Sequence, residues 1–148
     1  MILGLDGIDP TLCRKLMDEG RLPNLSSLAD SGTFKPLGTT TPPVSPVAWS
    51  SFMTGCNPGR HAIYDFFTRD PRTYLPVLTS TKISGVEKFF KLGKLRIPRG
   101  KPSIRLLRRS KPFWTTLGEQ GVMSTVIRVP ITFPPDKFNG LMLSGMCV

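Results

Sequence analysis

Residues 2–20 read ILGLDGIDPTLCRKLMDEG, and this stretch decides the fold that we expect. The apolar run at residues 2–5 is typical of a short buried strand, and Asp9 with Pro10 supplies a helix N-cap followed by a proline in the first turn. A helix should follow, with an apolar face at helical spacing formed by Leu12, Leu16 and Met17. The chain therefore opens with a strand followed by a helix.

The alternation of strands and helices continues along the chain. Helical patterns cover residues 23–31 and 45–54, and a third follows at residues 113–120. Residues 123–129 and 141–144 are apolar and read as strands. Strands that alternate with helices predict an α/β fold with a mostly parallel sheet.

Size and composition indicate one soluble globular domain. The chain has 148 residues, of which 39% are hydrophobic and 20% charged. The apolar start lacks a basic flank and is interrupted by Asp6, so it resembles neither a signal peptide nor a membrane span, and we expect a cytoplasmic protein. The three cysteines, Cys13, Cys56 and Cys147, form no C-x-x-C pair, so we expect them to be reduced.

Asp6 is the first candidate for a functional role. In an open parallel sheet, ligands bind beyond the carboxyl ends of the strands, and Asp6 directly follows the expected strand. Its carboxylate could bind a metal ion, and it could equally cap the turn that follows. The residues alone leave both readings open.

Ser45 is the second candidate. It lies in residues 39–67, TTTPPVSPVAWSSFMTGCNPGRHAIYDFF, at the start of the helix that ends near Thr54 and Gly55. We expect this helix to pack through one apolar face, formed by Ala48, Trp49, Phe52 and Met53. Unpaired amides and the helix dipole at the N-terminus favour a bound phosphate, which the Ser45 hydroxyl could attack. An ordinary N-cap serine is the alternative.

These stretches carry a resemblance to a known family. LGLDGIDP, GRLPNLSSLADSG and TTPPVSPVAWSSFMTGCNPGRHAIYDFFTRDP resemble the start of alkaline phosphatase superfamily enzymes of the type I phosphodiesterase or nucleotide pyrophosphatase kind, including phosphohydrolases and phosphomutases. The resemblance implies an alkaline-phosphatase-like three-layer sandwich with a mostly parallel sheet. Residues 1–148 would form the N-terminal part of one catalytic domain, with a basic insertion at about 81–111.

The resemblance also implies a mechanism and site residues. Asp6 matches a metal ligand, and Ser45, nine residues before Thr54, matches the nucleophile, which also binds metal. Two divalent metal ions, expected to be zinc, would activate Ser45 to form a phosphoserine intermediate on a small phosphorylated substrate.

The sequence departs from the family pattern at two points. Ala48 occupies a position where related nucleotide pyrophosphatases have asparagine, which puts a nucleotide diester substrate in doubt. The family's metal sites use several further Asp and His ligands, whereas His61 is the one histidine here, and we expect it to have a structural or substrate-side role. Because the chain stops at LSGMCV, we expect a truncated catalytic domain that is inactive by itself.

The basic segment leaves a second function open. Residues 82–111 contain eleven Lys and Arg against one acid, Glu87, and so account for the net charge of +10. Val86, Phe89 and Phe90 stand at helical spacing among lysines, which is typical of a binding module for an anionic membrane surface or nucleic acid. We favour a solvated insertion whose charge attracts phosphorylated substrates; peripheral membrane contact is the second expectation, and nucleic acid is not an expected partner.

Overall fold

The structure is a computed structural model that describes residues 1–85, 88–99 and 101–145. Its helices are α1 (Pro10–Asp18), α2 (Pro23–Ser31), α3 (Ser45–Thr54), α4 (Pro58–His61) and α5 (Phe113–Glu119). Its strands are β1 (Phe67–Arg69), β2 (Pro76–Leu78), β3 (Thr81–Ser84), β4 (Lys88–Leu92), β5 (Leu95–Arg99), β6 (Ser103–Leu106), β7 (Ser124–Ile127) and β8 (Gly140–Leu143). The chain divides into two compact units, Met1–Thr39 and Thr40–Val148.

The unit Met1–Thr39 contains α1 and α2 where the sequence predicted helices. The Asp9 side chain caps α1 by accepting hydrogen bonds from the backbone N–H groups of Thr11 and Leu12 at 2.7 and 3.0 Å. The side chains buried along α1 are Cys13 and Met17, whereas Leu12, expected inside, is 54% exposed. The prediction of the helices is confirmed, but the buried face of α1 is rotated from the expected one.

Residues 2–5 do not form the predicted strand. They are exposed, with Ile2 at 68% and Leu3 at 76%, and they pair with no other strand in the part of the chain that the structure describes. An apolar run becomes a strand only when neighbouring backbone completes its hydrogen bonds. The local sequence indicates that residues 2–5 could form a strand, but it does not show whether a partner strand lies beside them.

The core of the unit Thr40–Val148 lies between α3, α5 and the pair β7–β8. Its buried members are Met53, Trp114, Val126 and Ile131. β7 and β8 run parallel, with Ser124 opposite Gly140 and Ile127 opposite Leu143. The predicted helix at 113–120 and the predicted strands at 123–129 and 141–144 are confirmed; α5 and β7 are shorter than predicted, and β8 is shifted by one residue.

The mostly parallel sheet is not confirmed. The described residues form four two-stranded sheets, of which β7–β8 is parallel and β1–β2, β3–β6 and β4–β5 are antiparallel. The mixture of helices and strands agrees with an α/β fold, but the described residues do not build one continuous sheet between helical layers.

The basic segment forms strands where the sequence suggested a helix. Phe89 and Phe90 lie in β4, which joins β5 through Gly93 and Lys94; Gly93 adopts a positive φ of 59°, which suits glycine in a tight turn. Val86 and Cys147 lie outside the described residues. None of the helices in the described residues is long and apolar enough to cross a membrane.

Candidate active site

Ser45 lies at the first residue of α3 and is partly buried. The N-cap is Val44, whose backbone is extended, with φ of −122° and ψ of 146°. Proline suits the first turn of a helix, because its nitrogen carries no hydrogen to leave unpaired, and Pro46 occupies that turn. Ser45 is therefore not the N-cap itself, in contrast to the alternative considered from the sequence.

The backbone amides of this helix start are largely engaged. The N–H groups of Val47 and Ala48 both donate to the carbonyl oxygen of Val44 at 3.0 Å, and Pro46 has no N–H. The cradle of unpaired amides expected from the sequence is consequently smaller than that of a usual helix N-terminus. An anion at this end would depend mainly on the helix dipole and on the side chain of Ser45.

Packing fixes the direction of α3. Its buried residues are Pro46, Val47, Ser50 and Met53, which recur at helical spacing. This face differs from the expected one: Phe52 is 46% exposed, while Val47 and Ser50, which were not expected on the apolar face, are fully buried. Periodicity indicated an amphipathic helix but misjudged its rotation, because serine is small enough to be buried.

Aromatic rings hold the partly exposed side of α3. The ring of Phe52 meets Trp49 edge-on at a centroid distance of 5.9 Å and meets Phe113 of α5 at 5.8 Å. Such perpendicular pairs are the favoured arrangement of aromatic rings. α3 is therefore held on two sides, and the position of Ser45 at its start is well defined.

His61 connects the segment that follows α3 back to α3. The imidazole is fully buried, and its Nε2 atom lies 3.0 Å from the hydroxyl oxygen of Ser51. Its Nδ1 atom accepts a hydrogen bond from the backbone N–H of Ile63 at 3.1 Å. Because an accepting nitrogen carries no proton, the neutral ring holds its proton on Nε2 and donates it to Ser51.

The contacts of His61 exclude it as a general base for Ser51. Burial, and secondarily the positive charge of Arg108, lower the pKa of His61 below its ordinary value of 6.5, so the ring is neutral near neutral pH. A general base for Ser51 would need a free lone pair on Nε2, which is the atom that donates. His61 and Ser51 therefore form a structural contact, one of the two roles expected for this histidine.

Arg108 forms a buried ion pair beneath α3. Its guanidinium Nη2 lies 2.9 and 3.1 Å from the two carboxylate oxygens of Asp136, and the Arg108 side chain is 1% exposed. Its Nη1 atom lies 2.7 Å from the sulfur of Met53, and its Nε donates to the carbonyl oxygen of Ser110 at 3.2 Å. The sequence placed Arg108 in a solvated basic segment; the structure corrects this, because the residue is internal and neutralised.

A cavity of about 660 Å³ lies beside this segment in the same unit. Its walls include three arginines, two aromatic residues and a threonine: Arg105, Arg108, Arg109, Tyr64, Phe67 and Thr79. The backbone N–H of Arg109 donates to the carbonyl oxygen of His61 at 3.1 Å, which joins this wall to the segment after α3. Sequence reasoning missed this cavity, since its residues come together only through strand pairing.

Asp6 lies in the other unit, in an exposed turn with Gly7, which has a positive φ of 67°. Asp9, three residues later, provides the cap of α1. Asp6 and Ser45 thus belong to different units, each of which is described by itself.

The described residues do not complete a metal site. Among residues 1–85, 88–99 and 101–145, no three His, Cys, Asp or Glu side chains come together in a group that could hold a metal ion. Catalytic zinc sites use three protein ligands and one open position. The residues that the structure brings together therefore do not fit a two-metal centre without further ligands.

Comparison with known proteins gives one match. The family model described as type I phosphodiesterase / nucleotide pyrophosphatase matches residues 1–138. Neither the curated proteins nor the solved structures provide a match. The matched range contains Asp6, Ser45 and His61 and most of the chain. The chain therefore belongs to the type I phosphodiesterase / nucleotide pyrophosphatase family.

Proposed function

We propose that the protein is a metal-dependent phosphoric ester hydrolase that acts through a phosphoserine at Ser45. Membership of the family supports the reaction class. The observation that carries the residue assignment is the position of Ser45 at the first residue of α3, nine residues before Thr54 of the Thr54–Gly55 pair. α3 is packed on two sides, which fixes the backbone that carries the Ser45 hydroxyl.

The proposed reaction has two displacements at phosphorus. In the first, the Ser45 oxygen forms a bond to phosphorus while the ester oxygen leaves with its organic group, and the hydroxyl proton must be taken up. In the second, water attacks the phosphoserine, phosphate leaves and the serine hydroxyl is restored. The positive end of the α3 dipole stabilises the negative charge of the phosphoryl oxygens in both steps.

A serine hydroxyl is a weak nucleophile near neutral pH and needs a group that removes its proton. His61 does not serve, because its Nε2 proton is directed at Ser51. By family resemblance we propose two divalent metal ions, zinc, and we propose Asp6 and Ser45 each as a metal ligand because their positions match the family's pattern. Such ions would lower the pKa of a hydroxyl bound to them and would polarise the phosphoryl group. The described residues bring no three metal-ligating side chains together, so a complete site would need ligands other than those that they gather.

The substrate we propose is a small phosphorylated molecule, and Ala48 puts a nucleotide diester in doubt. Ala48 lies one turn after Ser45 and therefore on the same side of α3. Its methyl group cannot donate a hydrogen bond to a phosphoryl oxygen, in contrast to the asparagine expected for nucleotide substrates. Hydrolysis and transfer to a second hydroxyl share the same phosphoserine, so the acceptor decides between hydrolase and mutase. The three-layer catalytic domain and the cytoplasmic location remain predictions from the sequence.

Three substitutions, made in a protein that contains residues 1–148 together with a complete metal site and assayed with zinc and a phosphate ester, test the assignment of Ser45. Ser45→Ala and Ser45→Asn remove the attacking oxygen and should lower turnover by about three orders of magnitude or more. Ser45→Thr keeps a hydroxyl and should retain measurable turnover. Because the N-cap is Val44, each variant should change the free energy of unfolding by no more than about 1 kcal/mol, the usual contribution of one hydrogen bond. If Ser45→Asn turned over the ester at the wild-type rate, the assignment would have to be abandoned.

The alternative function, a basic module for an anionic membrane surface or nucleic acid, has less support. Phe89 and Phe90 are consecutive residues of β4, so their side chains point to opposite faces of the strand and do not form the expected apolar helix face. Arg108, counted among the solvated cations, is buried and paired with Asp136. We therefore propose that the segment is an insertion whose remaining charge attracts phosphorylated substrates.

A further inference from the structure

The pairing of β3 with β6 places two cations and two hydroxyl groups together. Lys82 lies opposite Arg105, and Ser84 lies opposite Ser103. Since side chains two residues apart in a strand point to the same side, these four side chains share one face of the strand pair. They line a cavity of about 240 Å³. This face is thus built from groups that donate hydrogen bonds or carry positive charge.

The two cations of this face are not neutralised within the described residues. The ion pairs formed there by Lys and Arg involve Lys15, Arg21, Arg108 and Lys111, and none includes Lys82 or Arg105. Like charges directly opposite one another on antiparallel strands destabilise the pair. Lys82 and Arg105 are both exposed, so solvent screens part of this repulsion, and an anion bound between them would remove the rest.

The chemistry of the four groups favours a phosphate oxyanion. Guanidinium forms paired hydrogen bonds with phosphate oxygens, lysine adds a point charge, and serine hydroxyls donate further hydrogen bonds. Arg105 also lines the cavity of about 660 Å³, whose walls carry Tyr64 and Phe67. The organic part of a phosphate ester would have an aromatic surface next to the anion site.

We propose that Lys82, Ser84, Ser103 and Arg105 form a binding site for the phosphate group of a phosphate ester, separate from Ser45. The site lies on the strand pair β3–β6, whereas Ser45 begins α3. The inference rests on strand register and charge, and it holds whether or not Ser45 is a nucleophile.

Titration with inorganic phosphate, followed calorimetrically on the full-length protein, tests the site. Lys82→Gln and Arg105→Gln should each weaken phosphate binding by about tenfold or more, because each removes a charge-assisted hydrogen bond. Lys94→Gln, in the turn between β4 and β5, removes the same charge away from the site and should change the affinity by less than about twofold. Ser103→Ala leaves the net charge unchanged and should still weaken binding, which keeps the test valid if Arg105→Gln does not fold.

A second probe, phosphatidylcholine vesicles that contain phosphatidic acid, tests whether the bound phosphate group belongs to a soluble ester or to a lipid headgroup. Binding of inorganic phosphate that is sensitive to Lys82→Gln and Arg105→Gln supports a soluble ester. Vesicle binding with the same sensitivity, without binding of inorganic phosphate, supports a lipid headgroup. Equal weakening by Lys94→Gln and Arg105→Gln, or no binding of either probe, would overturn the proposal.

Discussion

Asp136→Asn should strongly destabilise the unit Thr40–Val148, because it leaves the Arg108 charge buried without a counterion. The Arg108 side chain is 1% exposed and that of Asp136 is 19% exposed, so the guanidinium has little access to water that could replace the lost carboxylate. Breaking a buried pair by removing one partner costs about 3–5 kcal/mol, and the partial exposure of Asp136 places this case near the lower end. A loss of about 3 kcal/mol would lower the equilibrium constant for folding roughly a hundredfold.

Urea unfolding followed by tryptophan fluorescence measures this loss, because Trp114 lies in the core next to Met53. The matched control is Glu119→Gln, which breaks the exposed pair between Lys111 and Glu119, with a nitrogen–oxygen distance of 2.6 Å. An exposed pair contributes about 0–1 kcal/mol, so this variant should change stability little. If both variants lost the same small amount, the ion pair would not be the internal support that its burial indicates.

Three further predictions concern stability. The unfolding free energy should fall as pH drops below about 6.5 and stay level above it, because His61 takes up a proton more readily in the unfolded chain than in the folded protein, where its pKa is lowered. His61→Gln should remove this pH dependence in urea unfolding, and an unchanged pH dependence would contradict the prediction. Asp9→Ala should destabilise α1 by about 1 kcal/mol while Asp9→Asn retains most of the cap, as measured by amide hydrogen exchange in α1; equal loss would refute capping by that side chain. Gly140→Ala should lower the free energy of unfolding by about 1–3 kcal/mol or more, because the added Cβ would clash with the carbonyl oxygen of Ser124. A melting temperature equal to that of the wild type would contradict such a close contact between Gly140 and Ser124.

The helices could be predicted because their signals are local. α3 begins where proline enters the pattern and ends at Gly55, whose positive φ of 62° suits glycine. α1 has both its cap and its periodicity within residues 9–18. The rotation of each helix depends on what packs against it, so the sequence misassigned the inner faces of both.

The strands of the basic segment could not be predicted in the same way. Phe89 and Phe90 fit a helical stripe and a strand equally well, and the deciding partner, the run from Leu95 to Arg99, follows a two-residue turn. The burial of Arg108 depends on Asp136, which lies 28 residues away. The contact of His61 with Ser51 likewise depends on how α4 returns the chain to α3. Such pairings are properties of the folded chain and are not visible in local composition.

The phosphoserine is the most direct test of the proposed chemistry. A protein that contains residues 1–148 together with a complete metal site is mixed with zinc and a phosphate ester, quenched in acid during turnover, digested and analysed by mass spectrometry. The account predicts phosphate on Ser45 in the wild-type protein and none in Ser45→Asn under the same conditions. Phosphate on another residue, or turnover by Ser45→Asn without a phosphoenzyme, would contradict it.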